Sequence, residues 1–350
     1  MDKKKVGIRL HKQAADQTIA TDWSYELEAL APIADIVEVR ADTPGDFAAG
    51  VRDADALLTS WGMRIDREII DALDRCVVIG VSSVGVDMVD VEAATAAGIV
   101  VTNVPDVFIE EVADHAMMLL LDAARMTPQM SGLARKGDWY QGRPTLSRRP
   151  RLLGQTLGLY GFGNVARCTA RRAKAFGLHL LAHDPYVSEL EITGMGVEPV
   201  GFHELLERSD FVSIHVPHNA ETEHAFDAAA LSRMKPTAIL VNTARGAIVD
   251  EAALVAGLRD GVIAGAALDV LEREPPATDN PLLSMDQVVV TPHVASATTR
   301  MRPETRRRAG REVAMVLRGR WPMSCVNPTV LPRVDLERWQ PYPMNRGPNR

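Results

Sequence analysis

Three short segments carry side chains that together could hold an anion and move a proton. Asn242-Thr243-Ala244-Arg245-Gly246 closes an apolar run and puts Arg245 at its end, where a planar fork of donors matches a carboxylate. Ala267–Pro276 places Asp269 at the end of another apolar run and Glu274 in the loop beyond it. Thr291-Pro292-His293-Val294-Ala295-Ser296 follows the last run with a histidine, a side chain whose charge can switch near neutral pH. An anion clamp, an acid–base group and an acid able to orient it form one catalytic set. Any one of them alone would fit a structural or solvated role as well.

A fourth segment offers this set a reactant. Thr156–Tyr160 is an apolar run of strand length that enters Gly161-Phe162-Gly163-Asn164-Val165-Ala166. Arg167–Phe176 has helical composition, Gly177 ends it, and Leu178–Ala182 is a second apolar run closed by Asp184, 21 residues after Gly163. Strand, glycine turn, helix, strand and acid in that order form a dinucleotide-binding fingerprint. Gly161 permits the tight turn and Gly163 lets a pyrophosphate approach the helix N-terminus. Ala166 stands in for the third glycine. Asp184 would accept hydrogen bonds from the adenosine ribose and repel a 2′-phosphate, which favours NAD over NADP.

The elements that must position these residues alternate in type. Lys5–Leu10, Ile36–Val39, Ala54–Ser60, Val77–Val81 and Ile99–Thr102 read as strands, with Glu26–Leu30, Ile65–Leu73 and Val91–Ala97 as helices. Beyond Asp184, strands at Phe211–His215, Ala238–Asn242, Gly265–Asp269 and Val288–Thr291 alternate with helices at Phe202–Leu206, Ala229–Met234 and Glu251–Asp260. Such alternation predicts an α/β protein with parallel sheets, whose ligands lie beyond the carboxyl ends of the strands. Glu110–Arg125 is the longest helical pattern. Val112, Ala116, Leu119 and Leu120 share one face, widened by Met117, Met118 and Leu121, which predicts burial between domains or subunits. Asp114 and His115 within it read as structural. Val294–Arg318 reads as a further helix. Lys136–Arg151 reads as a solvated basic connection, or as a loop folding over the cofactor or toward an anionic partner. Asn327–Arg350, rich in proline and arginine, reads as an extended or disordered tail, or as an arm around a neighbouring subunit.

Composition narrows the class. A chain of 350 residues suggests two domains, and 46% hydrophobic with 24% charged residues is ordinary for a soluble protein. A net charge of −7 argues against wholesale binding to nucleic acid or an anionic membrane, and no apolar run is long enough to span a bilayer. The N-terminus lacks the apolar core of a signal peptide. Cys76, Cys168 and Cys325 are too scattered for a disulfide framework or a metal pattern, so no metal is expected and the compartment reads as reducing cytoplasm.

Read together, the motifs resemble the D-isomer-specific 2-hydroxyacid dehydrogenase family over roughly residues 77–326. They are Val84-Gly85-Val86-Asp87-Met88-Val89-Asp90, Asn103-Val104-Pro105, Glu111-Val112-Ala113-Asp114-His115-Ala116, the glycine turn, Ser213-Ile214-His215-Val216-Pro217, Asn242–Glu251, Ala267–Pro275 and Thr291–Ser296. The stretch around Asn103–Ala116 is most similar to the phosphoglycerate-dehydrogenase and C-terminal-binding-protein branches. The resemblance implies two Rossmann-like domains with parallel sheets, the substrate domain discontinuous. That domain would comprise 1–103 and 298–330, the NAD-binding domain 104–297, and 331–350 an extended tail.

It also implies roles. Arg245, Glu274 and His293 would be catalytic: Arg245 on the substrate carboxylate and keto oxygen, His293 as acid–base, Glu274 paired with it. An ionised Glu274 would favour the imidazolium, so reduction should hold up best toward low pH and oxidation improve as pH rises. Ser82, Ser83, Val84 and Gly85, with Arg245 and His293, would hold the substrate. Gly161, Gly163, Asn164, Val165 and Asp184 would contact NAD, as would His215, Val216, Pro217, Thr222, Thr243, Ala244, Arg245, Asp269, His293 and Ser296, with Asp269 at the nicotinamide carboxamide. The partners implied are a small anionic 2-oxo or 2-hydroxy acid (glyoxylate, hydroxypyruvate or a 3-phosphoglycerate-like acid) and a second copy in a homodimer. Domain closure would exclude water.

The chain departs from the pattern at Val81-Ser82-Ser83, where many relatives have Arg-Ala-Gly. It also has Asn164 where arginine is frequent and His183 where tyrosine is common. The first change, with the basic Arg143–Arg151 stretch, motivates an alternative substrate bearing phosphate or phosphonate. An NAD-sensing corepressor-like binding protein is the alternative of a different class. Selection of the substrate tail is expected from Trp61, Gly62, Met63, Ser82, Ser83 and the Trp139–Arg149 stretch.

Overall fold

The structure is a computed structural model that describes residues 3–10, 22–59 and 63–338. Trp61 and Gly62 lie outside the described residues, as does the tail from 339 onward. The chain forms two compact units. One runs to Val107 and resumes at Thr298, and the other is Phe108–Ala297.

In the first unit, β1 (Lys4–Leu10), β2 (Ala34–Arg40), β3 (Ala56–Thr59), β4 (Val78–Val81) and β5 (Val100–Thr102) pair in parallel in the order β2-β1-β3-β4-β5. All four residues of β4 are buried, as a sheet covered on both faces requires. The covering helices are α1 (Ser24–Leu30), α2 (Pro44–Val51), α3 (Arg67–Asp71) and α4 (Val91–Ala96). Side chains of Thr43, Asp66 and Asp90 accept N–H bonds at the starts of α2, α3 and α4, satisfying donors a helix leaves open. The described part of the C-terminal stretch belongs to this unit and is anchored there, not loose. The Asn327 amide is buried and bonds Ile99 O (3.0 Å), Thr95 Oγ1 (2.9 Å) and Val101 N–H (2.8 Å). Arg333 N–H donates to Gly98 O, and its guanidinium donates to Leu73 O.

The second unit holds α5 (Ile109–Arg125), α6 (Thr127–Lys136), α7 (Gly142–Leu146), β6 (Thr156–Tyr160), α8 (Asn164–Ala175) and β7 (His179–His183). It continues with α9 (Glu189–Gly194), β8 (Glu198–Pro199), α10 (Phe202–Arg208), β9 (Phe211–Ile214), α11 (Ala228–Arg233) and β10 (Ile239–Asn242). α12 (Glu251–Arg259), β11 (Gly265–Leu268) and β12 (Val288–Val290) complete it, and α13 (Met301–Leu317) returns the chain to the first unit. The sheet order is β12-β11-β10-β9-β6-β7-β8, all parallel. From β6 the chain winds outward through β7 and β8, then returns to β9 on the other side. β6 and β9 therefore flank a topological switch, where the crevice for a ligand opens.

Three expectations take definite form. Lys136–Arg151 is not one loop: α6 continues to Lys136, where Gly137 at φ 81° ends it, and α7 follows. α5 lies on its own sheet, burying Ala113, Ala116, Met117, Leu119, Leu120 and Ala123, while Met118 points outward. The final helix starts at Met301 rather than Val294, because residues 293–295 are held in a tight non-helical turn.

Candidate active site

The β6 turn has the geometry that the glycine pattern requires. Gly161 sits at φ 91°, and a Cβ there would come within 2.8 Å of Val216 Cγ1 and 2.9 Å of the His215 carbonyl carbon. Both its left-handed backbone and the close approach of the β9 end exclude a side chain. Gly163 is the N-cap of α8, no side chain caps that helix, and a Cβ at Gly163 would meet nothing within 4 Å. The first-turn N–H groups of a 12-residue helix are thus open to an anion. Asn164 and Val165 begin that turn. Asp184, just past β7, accepts Phe162 N–H (2.8 Å) and Tyr186 N–H (2.9 Å), which fixes its carboxylate against the turn.

The strand after the switch supplies the next wall. His215 keeps some surface, yet burial pushes its imidazole down to about 4, so it is neutral, with Nε2 against Ser213 Oγ at 2.9 Å. Val216 and Pro217 follow. Thr222, placed at the cofactor by resemblance, is itself buried and spends its hydroxyl inside the loop, donating to Pro217 O (2.7 Å) and accepting Asn219 N–H (2.9 Å). Thr243 Oγ1 is buried with no partner among the described residues. That orphaned hydroxyl, the open cradle at Gly163 and the acid at Asp184 fit a nicotinamide dinucleotide.

Arg245, Glu274 and His293 stand in the same unit. Asn242 prepares the first: its amide donates to Arg245 O (2.8 Å) and accepts Ala244 N–H (2.9 Å), turning the chain straight out of β10. Gly246 lets this turn press against the Glu274 loop, since a Cβ there would fall 2.0 Å from Leu271 C and O. Glu274 Oε1 accepts Leu271 N–H (3.0 Å), and its Oε2 meets His293 Nδ1 at 2.6 Å. Burial opposes ionisation of Glu274. The His293 bond, the Leu271 N–H and the charges of His293 and Arg245 outweigh it and hold the carboxyl below its usual range. Glu274 engages Nδ1, so proton exchange with a substrate would run through the other ring nitrogen, Nε2.

Residues that no motif singled out for this task hold the histidine. His293 has φ 52°, a left-handed conformation that costs roughly 1–2 kcal/mol in a non-glycine residue. Asp269 offsets it. Its carbonyl accepts His293 N–H (2.8 Å), Oδ1 accepts Val294 N–H (3.0 Å) and Oδ2 accepts Ala295 N–H (2.8 Å). Thr291 Oγ1 donates to Oδ1 at 2.5 Å, and His115 Nε2 lies 2.9 Å from Thr291 Oγ1 and 3.3 Å from Asp269 Oδ1. The Asp269 side chain is fully enclosed. Its carboxylate therefore staples the His293 turn. Ser296 lies in the same turn. His115, read as structural from sequence, braces this staple from α5.

In the first unit, the Ser82–Gly85 loop follows β4 and is fastened by its neighbours. Ser82 N–H donates to Thr59 O, Val104 N–H to Ser83 O (2.9 Å), Ser83 Oγ to Gly85 O (2.7 Å) and Asn103 Nδ2 to Val84 O (2.7 Å). Val84 is exposed.

Comparisons with known proteins agree with one another. The model for the D-isomer specific 2-hydroxyacid dehydrogenase NAD-binding domain matches residues 117–295. The chain is 42% identical over 282 residues to a glyoxylate reductase of Korarchaeum cryptofilum, covering 80% of this chain and 85% of that one. It is 37% identical over 327 residues to a D-3-phosphoglycerate dehydrogenase of Methanocaldococcus jannaschii, covering 93% of this chain but 62% of that relative. Among solved structures it resembles an NADPH-dependent glyoxylate/hydroxypyruvate reductase from Sinorhizobium meliloti, in complex with NADP and malonate. The TM-score is 0.82 at 33% identity, covering 96% of this chain and all of that one.

Proposed function

The chain belongs to the D-isomer-specific 2-hydroxyacid dehydrogenase family, and from that premise we propose that it transfers hydride between a nicotinamide dinucleotide and a short 2-oxo or D-2-hydroxy acid. The observation that carries the reading is the 2.6 Å pairing of Glu274 with His293, in one unit with Arg245 and the β6 turn. The residues of that turn hold the dinucleotide, and its nicotinamide supplies the hydride when bound. Arg245 binds the substrate carboxylate and stabilises charge growing on the carbonyl oxygen. His293 Nε2–H gives its proton to that oxygen as the C–H bond forms and the carbonyl π bond breaks. Oxidation runs in reverse, with neutral His293 taking the hydroxyl proton. Glu274 holds the ring and stabilises the imidazolium.

The finer assignments rest on single features. Asp184 favours NAD over NADP, because a 2′-phosphate would face its carboxylate. Relatives named glyoxylate reductase and D-3-phosphoglycerate dehydrogenase support a substrate such as glyoxylate, hydroxypyruvate or a phosphorylated three-carbon acid. The exposed Arg143 and Arg148 favour the phosphorylated member of that set. A homodimer is supported by α6, which buries none of its residues, and by Trp139 and Tyr140, 73% and 90% exposed. Free cysteines suit a cytoplasmic setting, and no helix among the described residues is long and apolar enough to cross a membrane. The test is a panel of 2-oxo acids assayed with NADH and NADPH. Oxidation of NADH by one of them supports the reading. NADH binding without turnover on any of them points to an NAD-responsive binding protein instead.

A further inference from the structure

Two carboxylates reach over the carboxyl end of β6 from opposite sides. Asp184 follows β7 and Glu221 lies in the loop after β9, and those two strands flank β6 in the sheet. Tyr186 joins them. Its N–H donates to Asp184 Oδ1 at 2.9 Å, and its phenol donates to Glu221 Oε2. The ring is 78% exposed, so it lies over the surface of the crevice and is not part of the core.

The Glu221 side of this bridge is rigid. Asn219 Oδ1 accepts the N–H groups of Glu221 (2.9 Å) and Thr222 (3.1 Å), and the Thr222 hydroxyl ties the loop to Pro217 O. Both acids act on one point. Burial pushes the Tyr160 phenol at the end of β6 upward, and the charges of Asp184 and then Glu221 push it further. The cation beside the turn is already matched, since Arg167 donates to Phe162 O (3.0 Å) and pairs with Glu191 at 2.7 Å.

We propose that Glu221 is a second cofactor-selecting residue: held by Tyr186 across the adenosine end of the crevice, its carboxylate joins Asp184 in excluding a 2′-phosphate. The proposal rests on the reading that the dinucleotide lies along the β6 turn. It explains why an exposed tyrosine is directed at a glutamate on the neighbouring loop. A 2′-phosphate entering beside the bridge meets two negative charges, and the nearby Arg167 is already paired with Glu191.

Binding of NADH and NADPH followed by cofactor fluorescence tests it without knowledge of the substrate. The readout is the ratio of the two dissociation constants, NADPH over NADH. Glu221→Gln should lower this ratio about three- to tenfold at low salt, as expected for loss of one solvent-screened repulsion with a doubly charged group. Glu221→Lys should lower it further, and both effects should shrink as the screening length falls to roughly 3 Å near 1 M salt. Tyr186→Phe should move the ratio in the same direction as Glu221→Gln by releasing the carboxylate. If both Glu221 variants leave the ratio unchanged while Asp184→Ser lowers it, selection belongs to Asp184 alone and the proposal fails. If Asp184→Ser also changes neither constant, the cofactor reading fails with it.

Discussion

Asp269→Asn probes how the site holds its acid. The native carboxylate accepts Thr291 Oγ1–H, Val294 N–H and Ala295 N–H within 3.0 Å, with His115 Nε2 at 3.3 Å. An amide has one acceptor oxygen, so its NH2 group must face at least one N–H of the turn. That replaces a charge-assisted bond by a donor facing a donor, and leaves a buried N–H unsatisfied at about 1–3 kcal/mol. Release of His293 from its left-handed backbone then becomes favourable by roughly 1–2 kcal/mol more. A combined loss of about 3 kcal/mol corresponds to roughly a hundredfold in kcat/KM. The assay is NADH oxidation at saturating cofactor with the best substrate of the panel, beside NADH titration and thermal unfolding. We expect kcat/KM to fall about a hundredfold and NADH affinity to change by less than tenfold. The melting temperature should drop by several degrees, since each kcal/mol is worth about 2–4 °C at this size. Unchanged kcat, or a loss wholly in NADH affinity, would refute the staple.

Other changes test neighbouring links. Gly246→Ala would drive a methyl group into the Leu271 carbonyl 2.0 Å away, so the Arg245 and Glu274 loops must part; kcat/KM should drop at least tenfold while NADH still binds. Arg245→Lys should cost about as much as a lost bidentate charge pair, roughly 2–4 kcal/mol in kcat/KM, with substrate KM rising. Glu274→Gln tests linkage. The folded-state carboxyl lies below its usual value, so its contribution to stability is complete above the unfolded carboxyl pKa near 4.3 and is lost as pH falls through the depressed value. The stability gap between wild type and Glu274→Gln should therefore be open near pH 5 and close as pH falls below about 4, as read by denaturant titration. A gap that widened on acidification would contradict the assignment.

The parts of this molecule legible in sequence are those whose signal is local. β6 occupies the expected Thr156–Tyr160, because the apolar run and the glycine turn mark both of its ends. α2 went unseen although Thr43-Pro44 gives a cap and a first-turn proline; its two glycines, Gly45 and Gly50, weaken the helical signal. Arg245, Glu274 and His293 were recognisable as motifs, but what aims them was not. His115 lies 176 positions from Thr291, and a helical pattern says which face is apolar, not which distant turn it braces. Asp269 was visible as an acid at a strand end, whereas its acceptance of N–H bonds on the C-terminal side of His293 exists only once the turn is folded. The same turn explains the late start of α13, since helical periodicity cannot register a left-handed residue in front of it. The proline-rich stretch from Asn327 onward looked loose by composition, yet the buried Asn327 amide ties its described start to β5.

The central claim is that His293 is the proton donor to a 2-oxo acid reduced by a bound nicotinamide. Its most direct test is the rate of NADH oxidation by the best 2-oxo acid for wild type and His293→Ala, with NADH binding measured in parallel. The wild type should turn over, and kcat should fall at least about a hundredfold in the variant with NADH still bound. A variant that retained kcat within about tenfold would contradict it.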